Sequence, residues 1–535
     1  MNKTVCRGLF LVALIAAAGL RFGRLDLRPM HHDEANQAVK FGALLESGQY
    51  AYDKADHHGP TLYYLTLPAA WARGQKTLAA LDETTLRIVP ALFGLGLIAL
   101  FLFLTRAIGR GAAAGAAFFA ALSPALTYYS RSYIQETLFA FFAWGFLIAL
   151  GWLFVKPSGG KAVAAGVLAG LAYATKETSV LVFAAAAAGL LIAWISSRPG
   201  SPGRRRLPSP VHGLAGLAAA AATAYLFFSS FFKNPRGIID SLTAFKDYAA
   251  RGTEAGLHSQ PWNYYLKILA GTRSEGIFWT EAVILGLALA GAAAACLGFK
   301  KGTTLPEEYA GPDAWSRVFW LRYLAATTIL LSVIFSALAY KTPWNMVPFL
   351  AGFAVLAGIG ADALLRAIRP QTARAAVAVL LLAGAALLVR QNLMANIRYP
   401  ADPRNPYVYA QTSPDYMRLV DRIRDVADFH RDGKAMLVKV IADPGEQWPL
   451  PWYLRDFTRV GYWTGLAEAG EMTGTPVVVA SQEYAEIIEA AAGDSFQAAF
   501  YGLRPEVVQT LFIDRELWEG FLKSRMTGPR KVLKP

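Results

Sequence analysis

Seven consecutive residues, Arg28-Pro29-Met30-His31-His32-Asp33-Glu34, set two imidazoles beside two carboxylates. Such a group can supply a general base, ligands for a divalent ion, or both. The plainer reading is a helix start, with Asp33 and Glu34 where the helix dipole favours carboxylates. Farther along, Asp56-His57-His58-Gly59-Pro60 offers two more imidazoles but reads equally as a turn. Arg87 follows at the entrance to an apolar run. The stretch Tyr128 to Glu136 pins Arg131 and Glu136 between apolar runs, where an unpaired carboxylate is expensive. Lys176-Glu177 and Lys341-Thr342-Pro343-Trp344-Asn345 sit at similar boundaries, where a lone lysine commonly snorkels to the interface. Three cations on one side, with carboxylates near them, suit an anionic lipid head group.

The elements that must position these residues are membrane spans. Of 535 residues, 55% are hydrophobic and 17% charged, against about 25% charged in soluble domains. That composition excludes disordered, collagenous and disulfide-scaffold classes. At roughly 20 apolar residues per span, eleven candidates appear: 5–21, 88–105, 111–128, 136–155, 161–175, 178–196, 211–231, 276–298, 319–339, 346–365 and 374–390. The net charge of +14 is not spread evenly: residues 391–535 hold 17 basic and 19 acidic side chains, which leaves +16 for the first 390. A basic surplus between apolar spans follows the positive-inside rule rather than nucleic-acid binding. With the N-terminus cytoplasmic, Arg106, Arg110, Lys156, Lys161, Arg198, Arg204 to Arg206, Lys300, Lys301, Arg317, Arg366, Arg369 and Arg374 all fall in inside loops. A cleaved signal peptide is the competing reading of residues 1–21, because Lys3 and Arg7 precede its apolar stretch. Cys6 and Cys296 lie far apart near inside ends, so no disulfide is expected.

Two outside loops are long, 22–87 and 232–275, and the first should carry an amphipathic helix over Ala35 to Leu45. Everything after Arg390 then lies outside. Strand-like runs at 435–441, 475–480 and 508–513 and a helix-like run at 482–492 predict a small extracytoplasmic α/β domain over 391–535. Trp448, Trp452, Tyr453 and Trp463 there could stack on sugars, although such aromatic residues are more often core.

These pieces make one reaction if the donor is a sugar on a polyprenyl phosphate. The tail stays in the bilayer, Arg131, Lys176 and Lys341 steady the departing phosphate, and Asp33 or Glu34 takes the acceptor's proton. At these residues the chain resembles the GT-C superfamily of multi-span glycosyltransferases, near the protein O-mannosyltransferases and the lipid A aminoarabinose transferase. His32-Asp33-Glu34 resembles the acidic pair of that family's first outside loop, where the Asp is the presumed base. Asp56 to Pro60 is similar to its Asp-x-His-Pro-Pro motif, with Gly59 in place of the first proline; Arg87-Ile88-Val89-Pro90 is similar to its Arg-x-x-Pro. Ser130-Arg131 through Glu136 resembles its segment before span four, with Glu for the usual Asp. More narrowly, Tyr340 to Asn345, Asn405-Pro406-Tyr407-Val408-Tyr409 and Trp448 to Asp456 look like a subfamily labelled "flippase activity-associated protein".

The resemblance implies an α-helical polytopic membrane protein of GT-C type in the cytoplasmic membrane, with a membrane domain over 1–390. It implies Asp33 as base and Glu34 as assistant, with substrate bound by His32, His58, Arg87, Arg131, Glu136, Lys176, Glu177, Lys341 and Trp344. No cofactor is compelled; a divalent ion stays open through His32, Asp33, His58 or Glu136. The partners are a polyprenyl-phosphate sugar, membrane lipids and a glycan, lipid or protein acceptor. Two other classes remain: a non-catalytic protein handling lipid-linked oligosaccharides for a flippase, and a transporter. The second would carry charges in mid-span or broken helices in matching halves, and the apolar runs hold almost no charge.

Overall fold

The computed structural model describes residues 3–53, 58–197, 207–253, 258–297 and 314–527. Among them, eight helices are long and apolar enough to cross a membrane, or nine if one bent pair is a single span. Two shorter apolar helices, Gly159–Tyr173 and Ala282–Cys296, bring the helical segments into register with all eleven expected runs. The expectation at 276–298 begins too early, because Thr272–Ser274 (β1) and Ile277–Trp279 (β2) form an antiparallel hairpin before that helix. Of the residues expected in inside loops, Arg198, Arg204 to Arg206, Lys300 and Lys301 lie outside the described residues.

One expected straight span is broken. Helices Arg110–Leu122 and Pro124–Ser130 meet at 64°. Proline cannot donate to the preceding turn, and here Pro124 opens a new helix whose Leu126 amide is capped by Ser123 Oγ. The break is braced by Glu281, whose carboxylate accepts Ser123 Oγ at 2.6 Å, the Ala125 amide at 2.9 Å and Tyr407 Oη at 2.9 Å. Asn392, near the end of helix Gln371–Leu393, donates to the Leu122 and Ser123 carbonyls. Elsewhere the spans approach closely over small residues: a Cβ on Gly358 would collide with the backbone of Ala112 and Ala116.

The loop after the first span holds helix His32–Ser47, wider than the amphipathic segment expected from the sequence, and helix Thr61–Ala72. Past the last span, Pro414–Phe429 is amphipathic, with Leu419, Val420, Ile423 and Val426 buried. It packs beside a five-stranded sheet in the order β4-β3-β5-β7-β6. Its strands are β3 (Val438–Ile441), β4 (Val460–Trp463), β5 (Val477–Ser481), β6 (Phe496–Arg504) and β7 (Val507–Asp514). β3 pairs parallel with β4 and β5, and β7 runs antiparallel to β5 and β6. The apolar strands β3 and β5 are buried along their whole length, as a central strand covered on both faces must be.

This domain docks on the membrane part through the segment after β3. Trp452 is fully buried and donates Nε1 to Glu83 at the head of helix Glu83–Leu100. Arg455 lies 3.7 Å over the Trp452 ring and donates to the Leu81 carbonyl. Tyr453 Oη accepts the Met30 amide at 2.8 Å. The Trp448 to Asp456 motif therefore fastens the domain to the loop that carries the His-His-Asp-Glu run.

Candidate active site

The turn before helix His32–Ser47 is held by buried charge. His31 is its N-cap: the Asp33 amide donates to His31 Nδ1 at 3.0 Å, and the His31 amide donates to Glu34 Oε2 at 3.1 Å. This is a capping box with an imidazole in the usual hydroxyl's place. Because Nδ1 accepts, Nε2 carries the proton and donates to the Tyr409 carbonyl at 3.0 Å. Glu34 is fully buried and accepts Arg87 Nε and Nη2, each at 2.8 Å, and the Tyr133 amide at 2.8 Å. Burial alone would raise its carboxyl, but the Arg87 and Arg28 guanidiniums outweigh that and hold it at about 2. Arg87 also donates to the carbonyls of Leu25 and Arg28, so one ion pair fixes the whole turn.

Asp33 is different. Its side chain is 39% exposed, and among the described residues no hydrogen bond reaches its carboxylate. Burial pushes its carboxyl up, yet His31, His32, His58 and Lys176 around it prevail and hold it below the usual aspartate range. His58 reaches this place because Gly59 lies against the 174–177 turn: the Gly59 amide donates to the Thr175 carbonyl, and a Cβ would strike the Ala174 carbonyl. A proline there would lose the amide hydrogen bond and drive its Cβ into the Ala174 carbonyl, which accounts for glycine at this position. His58 Nδ1 then stands 3.1 Å from Glu177 Oε2. Burial lowers the imidazole, Glu177 more than reverses it, and His58 ends above its ordinary value. Glu177 is raised by burial but held low by His58 and Lys176. Lys176, itself buried, is paired with Glu136 and donates to Asn345 Oδ1 at 3.0 Å.

Beside Asp33 opens a narrow cleft lined by Arg28, His31, Tyr129, Trp344, Tyr407 and Tyr409, among others. Trp344 meets the rings of His31 and Tyr409 edge-on at 5.7 and 5.6 Å. Arg28 is buried, 4.5 Å over the Tyr128 ring, 3.5 Å from Glu34 and bonded to Ser132 Oγ at 2.6 Å, but its Nε has no partner among the described residues.

Solved structures share this arrangement of helices. The chain superposes on ArnT from Cupriavidus metallidurans bound to undecaprenyl phosphate with a TM-score of 0.60, over 99% of this chain and 100% of that one, at 16% identity. The chain has the GT-C fold. The oligosaccharyltransferase of Archaeoglobus fulgidus, tethered with an acceptor peptide, is similar at TM-score 0.54 and 15% identity, over 98% of this chain and 78% of that one. The same archaeal protein in complex with an inhibitory peptide and a dolichol phosphate gives 0.52 at 14% identity, over 98% and 78%. No protein-family model matches the sequence, and neither does any curated protein.

Within this fold, the residues expected from sequence divide. Asp33 and Trp344 line the cleft, and His32, His58 and Lys176 gather about Asp33, with Glu177 and Glu136 beside His58 and Lys176. His32 Nδ1 lies 3.3 Å from the Gly445 carbonyl and its ring 5.9 Å from Trp448, so the C-terminal domain closes one side. Glu34 and Arg87 are committed to each other. Arg131 was expected on phosphate, but its Nη atoms donate to the carbonyls of Leu20, Arg21, Gly23 and Arg24 and cap the end of the first span. Lys341 likewise donates to the carbonyls of Gln260 and Leu338, closing the end of helix Ala314–Ala337. Asp56 and His57 lie outside the described residues.

The divalent-ion option does not fit: among the described residues no three His, Cys, Asp or Glu side chains converge. Glu136 faces Lys176, His58 faces Glu177 and His32 faces a carbonyl. Three groups escaped the sequence reading. Arg28 stood in the quoted run, but nothing in its spacing separated it from Arg131. His258 and Tyr409 hydrogen-bond each other beside Asp33 from segments 151 residues apart, a pairing without local signal.

Proposed function

We propose that the chain is an integral-membrane glycosyltransferase that moves a hexosyl or pentosyl unit from a polyprenyl-phosphate donor to a glycan, lipid or protein acceptor. The observation that carries this reading is Asp33: a carboxylate kept ionised by surrounding cations and imidazoles, left without a protein donor, at the mouth of a cleft in a GT-C fold. The ArnT and oligosaccharyltransferase structures, bound to undecaprenyl phosphate and dolichol phosphate, support a lipid phosphate as donor. We place the site and the C-terminal domain on the extracytoplasmic face of the cytoplasmic membrane, with the N-terminus inside, on the strength of the basic inside loops.

In this mechanism an acceptor hydroxyl attacks the anomeric carbon as its proton passes to an Asp33 oxygen. The bond from that carbon to the phosphate oxygen breaks, and polyprenyl phosphate leaves with the electron pair. The charges of Arg28, in the cleft wall, and of Lys176 stabilise the oxyanion. His58, held above its ordinary value by Glu177, adds positive charge on the same side when it is protonated. Glu34 is a positioning residue, since both its oxygens are occupied.

The purified protein, given a polyprenyl-phosphate sugar and an extract of acceptor lipids, tests the assignment. Asp33→Asn should lower transfer by about a hundredfold or more with the thermal midpoint unchanged. Transfer at the wild-type rate would remove Asp33 from the chemistry.

A further inference from the structure

Two larger hollows lie along the end of the last span. One, of about 940 Å³, is walled by β2 and by helix Gln371–Leu393 with its wider final turn, Met394–Arg398. Its surface is apolar, with Phe278, Leu387, Leu393 and Ile397, and it carries two guanidiniums, Arg390 and Arg398. The second, of about 780 Å³, shares Arg398 and Tyr399 with the first and runs along the linker to Tyr409 and Gln411. Those two residues are also walls of the Asp33 cleft.

The charges on this path are unusual. Arg390 is exposed eight residues before Arg398, roughly 12 Å away along the helix at 1.5 Å per residue, in a span whose surface is mostly unburied. Both guanidiniums stand at or beyond the end of the expected apolar run 374–390, where an anionic head group can meet them. Among the described residues neither arginine has a carboxylate partner. Asp402, in the wall of the second hollow, and Glu275, next to Gly276 of the first, are both engaged by Arg404, at 2.6 and 3.8 Å. Arg398 lies 5.3 Å over the Tyr399 ring, which leaves its donors available to a phosphate.

We infer that these hollows seat a second lipid with a phosphate-bearing head group. Its tail lies against Phe278, Ala386 and Leu387, its phosphate meets Arg390 and Arg398 across Leu393, and the rest of its head group follows the second hollow toward Tyr409 and Gln411. Neither Lys176 nor His58 lines either hollow, so this seat does not use the cations assigned to the donor phosphate. That its occupant is the acceptor rests on the transferase reading; the seat itself rests on the groove and its charges.

The test is photolabelling of the full chain in nanodiscs, with phosphatidic acid or phosphatidylcholine carrying a diazirine on the acyl chain and labelled peptides mapped by mass spectrometry. Phosphatidic acid should label residues 386–399 in preference to phosphatidylcholine by about fivefold per arginine, the attraction of one cation for anionic lipid. Arg390→Gln with Arg398→Gln should abolish the preference, and Leu393→Trp should reduce labelling by both probes. Both arginines and Leu393 are exposed, so the substitutions leave the fold in place. Equal labelling by the two lipids, or a preference that survives the double substitution, overturns the proposal. Asp33→Asn should leave the labelling unchanged, so failure of the seat and failure of the transferase reading register separately.

Discussion

Glu34→Gln separates a bracing carboxylate from a reacting one. The substitution keeps the shape but replaces one acceptor oxygen with an NH2 that faces donors: Arg87 Nε and Nη2, the Tyr133 amide and the His31 amide. Holding the carboxyl at about 2 instead of its ordinary 4.5 corresponds to about 3 kcal/mol, at 1.36 kcal/mol per tenfold. Breaking one half of a buried ion pair costs about 3 to 5 kcal/mol by comparison with other proteins, and the two figures agree. Because the Glu34 carboxyl is depressed, its contribution is complete above about 4.5 and is lost as pH falls toward 2. The assay is the apparent thermal midpoint in detergent at neutral pH, since unfolding of a multi-span chain is not two-state. Glu34→Gln should lower the midpoint by several degrees, whereas Asp33→Asn, at a partly exposed carboxylate, should not move it. An unchanged midpoint for Glu34→Gln, with transfer abolished, would refute the bracing role and return Glu34 to the chemistry.

Two further outcomes follow from the geometry. His58 is raised by Glu177, so its charge is complete below about 6.5 and disappears as pH climbs through the higher folded value. Transfer should therefore fall on the alkaline side, and Glu177→Gln should move that limb to lower pH in a rate-pH profile; an unmoved limb assigns it to another group. Trp452→Ala removes a fully buried ring from the junction between the C-terminal domain and the first loop, a loss of about 3 to 5 kcal/mol. Limited proteolysis should then cut the linker between residues 394 and 413 faster than in wild type, and an unchanged rate would deny the docking role.

The spans were legible because apolar length alone defines them, and strands β3 and β5 because they are short apolar runs buried on both faces. β4 and β6 were not, since β4 is only half-buried and β6 mixes exposed and buried positions without a clean alternation. The break at Ser123-Pro124 had its proline in plain view, inside a run whose hydropathy concealed it. At the site, Asp33, His58 and Lys176 stood in motifs whose residue types announced charge. Arg131 and Lys341 had the same types and boundary positions, yet they cap helix ends. Whether a boundary cation faces a ligand or a carbonyl depends on where the neighbouring helix stops, and local sequence does not carry that. Tyr407 and Tyr409 lay in a quoted motif with no role, because their contacts with Glu281 and His258 join segments more than a hundred residues apart.

The most direct test of the central claim is mass spectrometry of lipid-linked and surface glycans from a deletion strain, complemented with wild type or with Asp33→Asn at equal protein level. The account predicts that the deletion accumulates a polyprenyl-phosphate sugar and a glycan short of one residue, and that wild type restores the profile while Asp33→Asn does not. Restoration by Asp33→Asn would contradict it and leave a non-catalytic role in handling lipid-linked oligosaccharides.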